Sequence, residues 1–217
     1  MIDEGLRWGA AALSTAVLIA YELHLRRAAR RDPMATSRSA HTVLREEWVE
    51  ALSRAPGTEV LAVQSLRNAV MSATMNASTA ALVLMGSISL LWSKHQNARW
   101  DEHPMTLGLV LELGLVLTLC AAFVCSAIAM RYYHHVGFAV SLPVGSPERA
   151  RRTPLAVAYV RRAGLMYSWS LRCFLFVLPI AVGLLNTFVM PISAVVLVAM
   201  LALFDRPPER GSAASGM

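Results

Sequence analysis

The chain has 217 residues, of which 56% are hydrophobic and only 16% are charged. This composition is too apolar for an ordinary soluble domain, and the length suits four or five membrane spans with no second globular domain. The net charge of +6 does not indicate a nucleic-acid partner, because the arginines lie beside hydrophobic segments and not in a separate basic region. We therefore expect an all-α protein, a polytopic membrane helix bundle with cytoplasmic interfacial helices, in one domain over residues 1–206.

The first predicted span covers residues 6–25 and is followed at once by the basic run RRAARRD. Positively charged residues collect on the cytoplasmic side of membranes, so this order predicts a multi-pass inner-membrane protein with its N-terminus outside. The basic cluster follows the apolar run and does not precede it, which favours a retained anchor over a cleaved signal peptide.

A short amphipathic helix is predicted next, in the stretch HTVLREEWVEALSR. Leu44, Trp48 and Leu52 recur every four residues among charged neighbours, a pattern typical of a helix that lies on a membrane surface or on a helix bundle. Pro56 and Gly57 then end it.

The second span is predicted within a longer helix that runs from residue 59 to residue 92. Thr58 is a suitable N-cap, and no helix breaker follows it before Gly86. Such a helix would be about 51 Å long, which exceeds the hydrocarbon thickness. Its first turns should therefore protrude into the cytoplasm, and the span itself should cover residues 69–92.

The third span, residues 105–130, ends at RYYHH and returns the chain to the cytoplasm. Between residues 131 and 172 the chain carries seven arginines and one acidic residue, which repeats the cytoplasmic charge signature. Thr153 and Pro154 resemble an N-cap and first-turn pair, so we expect a second interfacial helix to begin there.

The last apolar stretch, residues 171–204, is too long for one ordinary span. We expect a hairpin of two short spans, 171–187 and 189–204, that turns at NTFVMP and returns the chain to the cytoplasm. A single tilted and kinked helix is the alternative. The polar tail, residues 207–217, is rich in small residues and is expected to be disordered.

One side of the second predicted helix is polar although this helix enters the membrane. At 100° per residue a polar stripe collects on this side, with small residues opposite it that suit close helix packing or a homo-oligomer. The stripe comprises Gln64, Arg67, Asn68, Met71, Thr74, Met75 and Ser78, and the small residues are Ala69, Ala73, Ala77 and Ala81. Both sides are therefore expected to be covered by protein, with the inner half of the helix in the centre of the bundle.

The functional interpretation of this stripe is a polar vestibule at the cytoplasmic mouth of a passage for a small ion or solute. Gln64, Arg67 and Asn68 would form its mouth, and the stripe through Ser78 would continue it. The structural alternative is that hydroxyl groups bond to the carbonyl one turn back, while the mouth residues simply lie among lipid headgroups.

The stretch AVQSLRNAVMSATMNASTA (62–80) resembles the QTLRN-x-x-M-x-A-T-x-x-A-S-T signature of the Domain of Unknown Function 599 family of bacterial and plant membrane proteins. RYYHHVGFAVSLP (131–143) and YSWSLRCFLFVLPI (167–180) are similar to further segments of that family. Ser65 replaces the usual Thr, and Ser170 stands where Gly is common. The resemblance covers residues 48–204 and implies a multi-helix membrane protein without an assigned reaction or ligand.

Glu112 is the only carboxylate deep inside a predicted span, which makes it a candidate for ion or proton handling near the outer mouth. The alternative is a protonated carboxyl group that hydrogen-bonds a neighbouring polar side chain and serves packing alone.

Two histidines suggest a less favoured possibility, a haem carrier. His24 and His134 should lie at the same cytoplasmic level, as a bis-His haem site requires, but they lack the acidic or cysteine-rich neighbours of most metal sites. No known catalytic motif is recognisable in the sequence. We therefore expect a non-enzymatic protein without catalytic residues or metal ligands, and the cofactor, if any, is unknown.

Two hypotheses remain. In the first, the polar stripe and Glu112 serve passage or binding of a small ion or solute. In the second, the protein is structural, and its cytoplasmic face holds anionic lipids or a partner protein through Trp48, Arg131, His134, Arg172 and the arginines at 149–162. A homo-oligomer is compatible with both.

Overall fold

The structure is a computed structural model, and it describes residues 2–32, 34–96 and 105–206. Within these ranges the chain forms helices and no strands. The helices are α1 (Ile2–Arg31), α2 (Ser37–Arg54), α3 (Glu59–His95), α4 (Leu107–Val140), α5 (Pro147–Leu185) and α6 (Met190–Phe204). Four of them, α1, α3, α4 and α5, are long and apolar enough to cross a membrane, while α6 is a shorter apolar helix. The predicted all-α membrane bundle is confirmed.

The centre of the bundle is formed by α3, α4 and α5, with α4 packed against both neighbours. Lys94 of α3 meets Glu112 of α4, while Ser126 of α4 and Ser170 of α5 share a buried hydrogen bond of 2.5 Å. These contacts show that α4 runs antiparallel to both α3 and α5. We call the end of the bundle that holds the α4–α5 turn the basic end, and the other end the Lys94 end.

Beyond the membrane-length core, the helices continue at the basic end around a second apolar cluster. Val136 and Val160 are buried there against Leu66 of α3 and against Val49 and Leu52 of α2. The amphipathic face predicted for α2 is therefore partly wrong. Leu44 is 61% exposed, and Val49 takes its place in a face that packs on α5 and not on lipid. Because an α-helix has 3.6 residues per turn, side chains spaced four residues apart drift around the helix axis. Leu44 therefore faces away from the bundle, while Leu52 faces it.

α5 is one continuous helix of 39 residues, so the prediction of a separate interfacial helix that begins at Thr153 is wrong. Ser146 is the actual N-cap, since its hydroxyl accepts from the Arg149 amide at 3.2 Å, and Pro147 follows in the first turn. The Thr153 hydroxyl bonds to the Arg149 carbonyl, and Pro154 lies inside the helix. At α3 the position of the N-cap was predicted correctly, but the Thr58 hydroxyl bonds to the Ala55 carbonyl and does not cap the helix.

The chain reverses between α5 and α6, as the hairpin prediction requires, and the alternative of a single kinked helix is wrong. The turn covers residues 186–189. It is tight, because a Cβ atom at Gly183 would come within 2.7 Å of the Met190 sulfur. α6 returns beside α5 until Asp205 reaches Arg172, and α1 packs along α6.

Candidate functional site

The predicted polar stripe lies on the outside of the helix bundle. α3 faces α4 with Ala62, Leu66, Ala73 and Ala80, all at most 5% exposed. The stripe residues Gln64, Arg67, Asn68, Met71, Thr74, Met75 and Ser78 are all exposed. The expectation that the inner half of α3 occupies the centre of the bundle is therefore wrong for a single chain. The alanines do permit close packing, but only on the side that α4 covers.

Several hydroxyl groups along α3 are satisfied within the helix. The Thr74 hydroxyl bonds to the Val70 carbonyl at 2.9 Å and also lies 3.2 Å from the Met130 sulfur, while the Ser72 hydroxyl bonds to the Asn68 carbonyl. This agrees with the structural alternative for these hydroxyls. The amides of Gln64 and Asn68 remain on the exposed surface.

Two residues predicted for different roles share one groove. Arg67 of α3 and His134 of α4 both line a cavity of about 350 Å³ whose other walls include Val63, Tyr133 and Phe138. A groove that combines an apolar floor with an arginine and a histidine suits an amphiphilic ligand with an anionic group. Of the other residues predicted for the cytoplasmic face, Arg131 is exposed and Trp48 is half-buried.

Arg172 is not part of an exposed interface, because only 4% of its surface is accessible. Its guanidinium binds Glu22 of α1, and it lies 2.5 Å from an Asp205 carboxylate oxygen at the end of α6. The Tyr21 hydroxyl donates to the same Asp205 oxygen at 2.8 Å, and Arg38 of α2 lies 3.6 Å from Glu22. This ionic cluster joins α1, α2, α5 and α6 in the middle part of the bundle, 25 residues after the start of α5 and 13 residues before its end.

The ionic cluster also acts on Arg38. Burial is the main reason that the pKa of the Arg38 guanidinium is lowered, and the positive charge of Arg172 adds to the shift, while Glu22 opposes it. An arginine keeps its proton at neutral pH even so. Arg38 and Arg26 both lie over the ring of Trp169, at 5.0 and 5.1 Å from its centre, where the ring face attracts cations.

Arg149, one of the arginines predicted to face lipid or a partner, is also buried, with 3% of its surface exposed. Its guanidinium donates to the carbonyl of Val140, to that of Leu142 at 2.5 Å, and to that of Leu52 at 2.8 Å. These carbonyls lie at the ends of α4 and α2, where helices leave acceptors without partners. Arg149 is therefore a helix cap and not a lipid contact.

At the Lys94 end, Glu112 is 8% exposed and pairs with a cation, the Lys94 ammonium, at 2.5 Å. Glu112 therefore contacts a cation, which the packing alternative did not include. The pair opens on a cavity of about 590 Å³ that Arg7, Asn186 and Thr187 also line. The sequence did not indicate this pairing because the predicted helix ends at residue 92, before Lys94, whereas α3 extends to His95.

His24 is exposed on α1, which packs along α6, whereas His134 lies between α3 and α4. Among the described residues no group of three or more His, Cys, Asp or Glu side chains is arranged to hold a metal ion.

Comparisons with known proteins agree with the resemblance found in the sequence. A family model described as "Protein of unknown function, DUF599" matches residues 10–209, which is nearly the whole chain. Neither the curated proteins nor the solved structures contain a match. The chain, a helical membrane protein, therefore belongs to the DUF599 family of proteins of unknown function.

Proposed function

We propose that this protein is a non-enzymatic membrane protein whose copies associate along α3 and bind or pass a small ion or solute between them. The observation that supports the proposal is the exposed polar stripe of α3. α3 is long and apolar enough to span a membrane, yet only 6% of its most apolar segment is buried by its own chain. Polar side chains at membrane depth are favourable only where protein or water covers them. A second copy of α3 would provide that cover.

The stripe has the chemistry of a weakly selective mouth for anions. Arg67 brings a fixed positive charge, and the amides of Gln64 and Asn68 offer donors beside it. A positive charge at a constriction raises the local concentration of anions. Met71, Met75 and Ser78 then continue the same exposed surface toward the Lys94 end.

The association can be tested by disulfide crosslinking in native membranes. Cys120, Cys125 and Cys173 are first replaced by Ala, and single cysteines are then introduced at Met71 or Met75. The matched control is Val83→Cys, which is also exposed but lies about 100° around α3 from the stripe. We expect oxidation to give dimers at the two stripe positions and not at the control. Equal crosslinking at the stripe and the control would refute association through this face.

Passage can be tested by chloride efflux from proteoliposomes. Arg67→Glu should lower the chloride rate about tenfold relative to potassium, since a change of about 1.4 kcal/mol in the barrier is a tenfold change in rate. Arg27→Gln, an exposed arginine on α1, is the control. Efflux equal to that of protein-free liposomes would exclude passage of chloride and leave only the association.

A second candidate function is a structural one, in which the basic end holds an anionic lipid of the cytoplasmic leaflet. The groove shared by Arg67 and His134, next to the exposed Arg131, favours it. This function requires co-purified anionic lipid that decreases in Arg67→Gln and Arg131→Gln variants, together with no ion flux. Lipid content that is unchanged in both variants would refute it.

The proposed location is the inner membrane with the N-terminus outside. Its support is that the arginines after Glu22 on α1 and those before Arg172 on α5 lie on the same side of the Glu22–Arg172 pair, away from the Lys94 end. Both groups would then face the cytoplasm together.

A further inference from the structure

Two cavities of different character meet at the Lys94–Glu112 pair. The first, of about 590 Å³, has polar walls that include Arg7, Asn186 and Thr187. The second is a groove of about 170 Å³ with walls that are almost entirely apolar. The groove is lined by Ser87, Leu90, Leu91, Leu115 and Leu184, together with the ion pair. Lys94, Glu112 and Leu184 line both cavities, so the polar cavity and the apolar groove adjoin at the ion pair.

Cations outnumber carboxylates among the described residues that line the polar cavity. The side chains of Arg7 and Lys94 are 53% and 63% exposed, whereas that of Glu112 is 10% exposed. Two cations and one carboxylate line the cavity, and Arg7 also pairs with the Asp3 carboxylate at 3.0 Å. Both partners of that pair are exposed, so the phosphate of a ligand can take the place of Asp3. The Asn186 side-chain oxygen accepts the Phe188 amide at 3.0 Å, which leaves its NH2 group as a donor for a ligand. The cavity therefore suits a singly charged anion with oxygen acceptors.

The position of the two cavities matches the boundary between lipid headgroups and acyl chains. The ion pair lies where α3 ends, α4 begins and α5 ends. Trp92, an aromatic residue of the kind found at membrane interfaces, is exposed two residues before Lys94. Ser87, at the inner end of the groove, is seven residues from Lys94, which is about 10 Å along a helix. A ligand that fills both cavities must have a charged head and an apolar chain.

We propose that these two cavities bind one anionic phospholipid of net charge −1, such as phosphatidylglycerol. Its phosphate lies between Arg7 and Lys94, its headgroup hydroxyls meet Asn186 and Thr187, and the first part of an acyl chain follows the groove. Glu112 is a positioning residue that holds Lys94 at the junction. The site lies at the opposite end of the bundle from the Arg67–His134 groove. The result of its test is therefore independent of whether the proposed function is correct.

The sequence offers a direct test, because Lys94 is the only lysine in the chain. Acetylation of its amine by a water-soluble amine-reactive ester can be followed by mass spectrometry on purified full-length protein in neutral detergent. We expect phosphatidylglycerol to slow the acetylation at least about fivefold, since a bound phosphate shields the amine. Phosphatidylcholine, which has no net charge and no primary amine that the ester can acetylate, and inorganic phosphate should each give less than about a twofold effect.

Each alternative outcome overturns the proposal in a different way. Equal protection by inorganic phosphate means that only an ion is bound. Equal protection by the two lipids means that the headgroup charge is not recognised. No protection by any probe means that the site does not bind phospholipid.

Variants test the two cavities separately. Arg7→Gln should raise the phosphatidylglycerol concentration needed for half-protection about tenfold, the usual worth of one charge-assisted contact, and Arg27→Gln on the same helix should leave it unchanged. Leu115→Trp should fill the groove and have a similar effect, and Leu90→Trp, at a position that is 75% exposed, tests the same point if the first variant does not fold. Protection that persists unchanged in Arg7→Gln would overturn the assignment of the phosphate.

Discussion

The ionic cluster around Arg172 gives the sharpest prediction about stability. Arg172→Met removes the guanidinium that binds both Glu22 and Asp205, whose side chains are only 10% and 14% exposed. Removing one partner of a buried ion pair costs about 3–5 kcal/mol, because the other partner is left charged and poorly solvated. Arg38 still lies 3.6 Å from Glu22, and the Tyr21 hydroxyl still donates to Asp205. We therefore expect the low end of that range, about 3 kcal/mol.

The free energy of unfolding can be measured by titration with SDS in mixed micelles, with helix content followed by circular dichroism. The matched control is Arg7→Met, which breaks the Arg7–Asp3 pair, whose side chains are 53% and 65% exposed. Exposed pairs contribute about 1 kcal/mol or less. The difference between the two variants then measures the effect of burial with the same substitution.

A third variant distinguishes the energy lost with the ion pair from the cost of leaving two buried carboxylates without a cation. Glu22→Gln and Asp205→Asn, combined with Arg172→Met, leave no buried carboxylate without its cation and should recover most of the lost stability. If Arg172→Met costs no more than Arg7→Met, or if the triple variant is less stable than Arg172→Met alone, the reasoning is refuted.

Three further predictions concern a cap, a turn and the orientation. Arg149→Ala should lower the free energy of unfolding by about 2 kcal/mol, because it leaves buried helix-end carbonyls without a donor. Hydrogen exchange in residues 138–146 should also become faster, and unchanged exchange there would contradict the prediction. Gly183→Ala should cost about 1 kcal/mol, because the new methyl group must displace the Met190 side chain, and a thermal midpoint equal to that of the wild type would contradict it. A cysteine at Asp3 in the cysteine-free chain should react with an impermeant maleimide from outside intact cells, and reaction only after lysis would reverse the proposed orientation.

The fold could be predicted from the sequence wherever apolar length and turn residues decide it. The first apolar run, the turn at NTFVMP and the extension of α3 beyond the membrane follow from hydropathy and helix rise alone. The continuity of α5 could not be predicted in the same way. Thr153–Pro154 and Ser146–Pro147 are equally good starts by local chemistry, and the packing of α5 on α2 and α4 decides in favour of the earlier one.

The candidate sites depend on distant pairings, and these were predicted less well. A polar stripe and an alanine stripe on one helix do not reveal which side meets the bundle, and α4 covers only the side with Ala73 and Ala80. Arg172 was assigned to the surface because its two acidic partners lie on other helices. A search for carboxylates at the ends of other apolar runs would have found both Glu22 and Asp205.

The ionic cluster also has a consequence for synthesis. Glu22 leaves the ribosome 150 residues before Arg172, which at 5–20 residues per second is roughly 8 to 30 s. Asp205 follows later still, 33 residues after Arg172. The first helix is therefore made long before Arg172, and Arg38 of α2 is the cation of the cluster that follows Glu22 soonest in the chain. A chain that stops before Asp205 leaves the cluster incomplete, with the Arg172 guanidinium bound to Glu22 but without its second carboxylate.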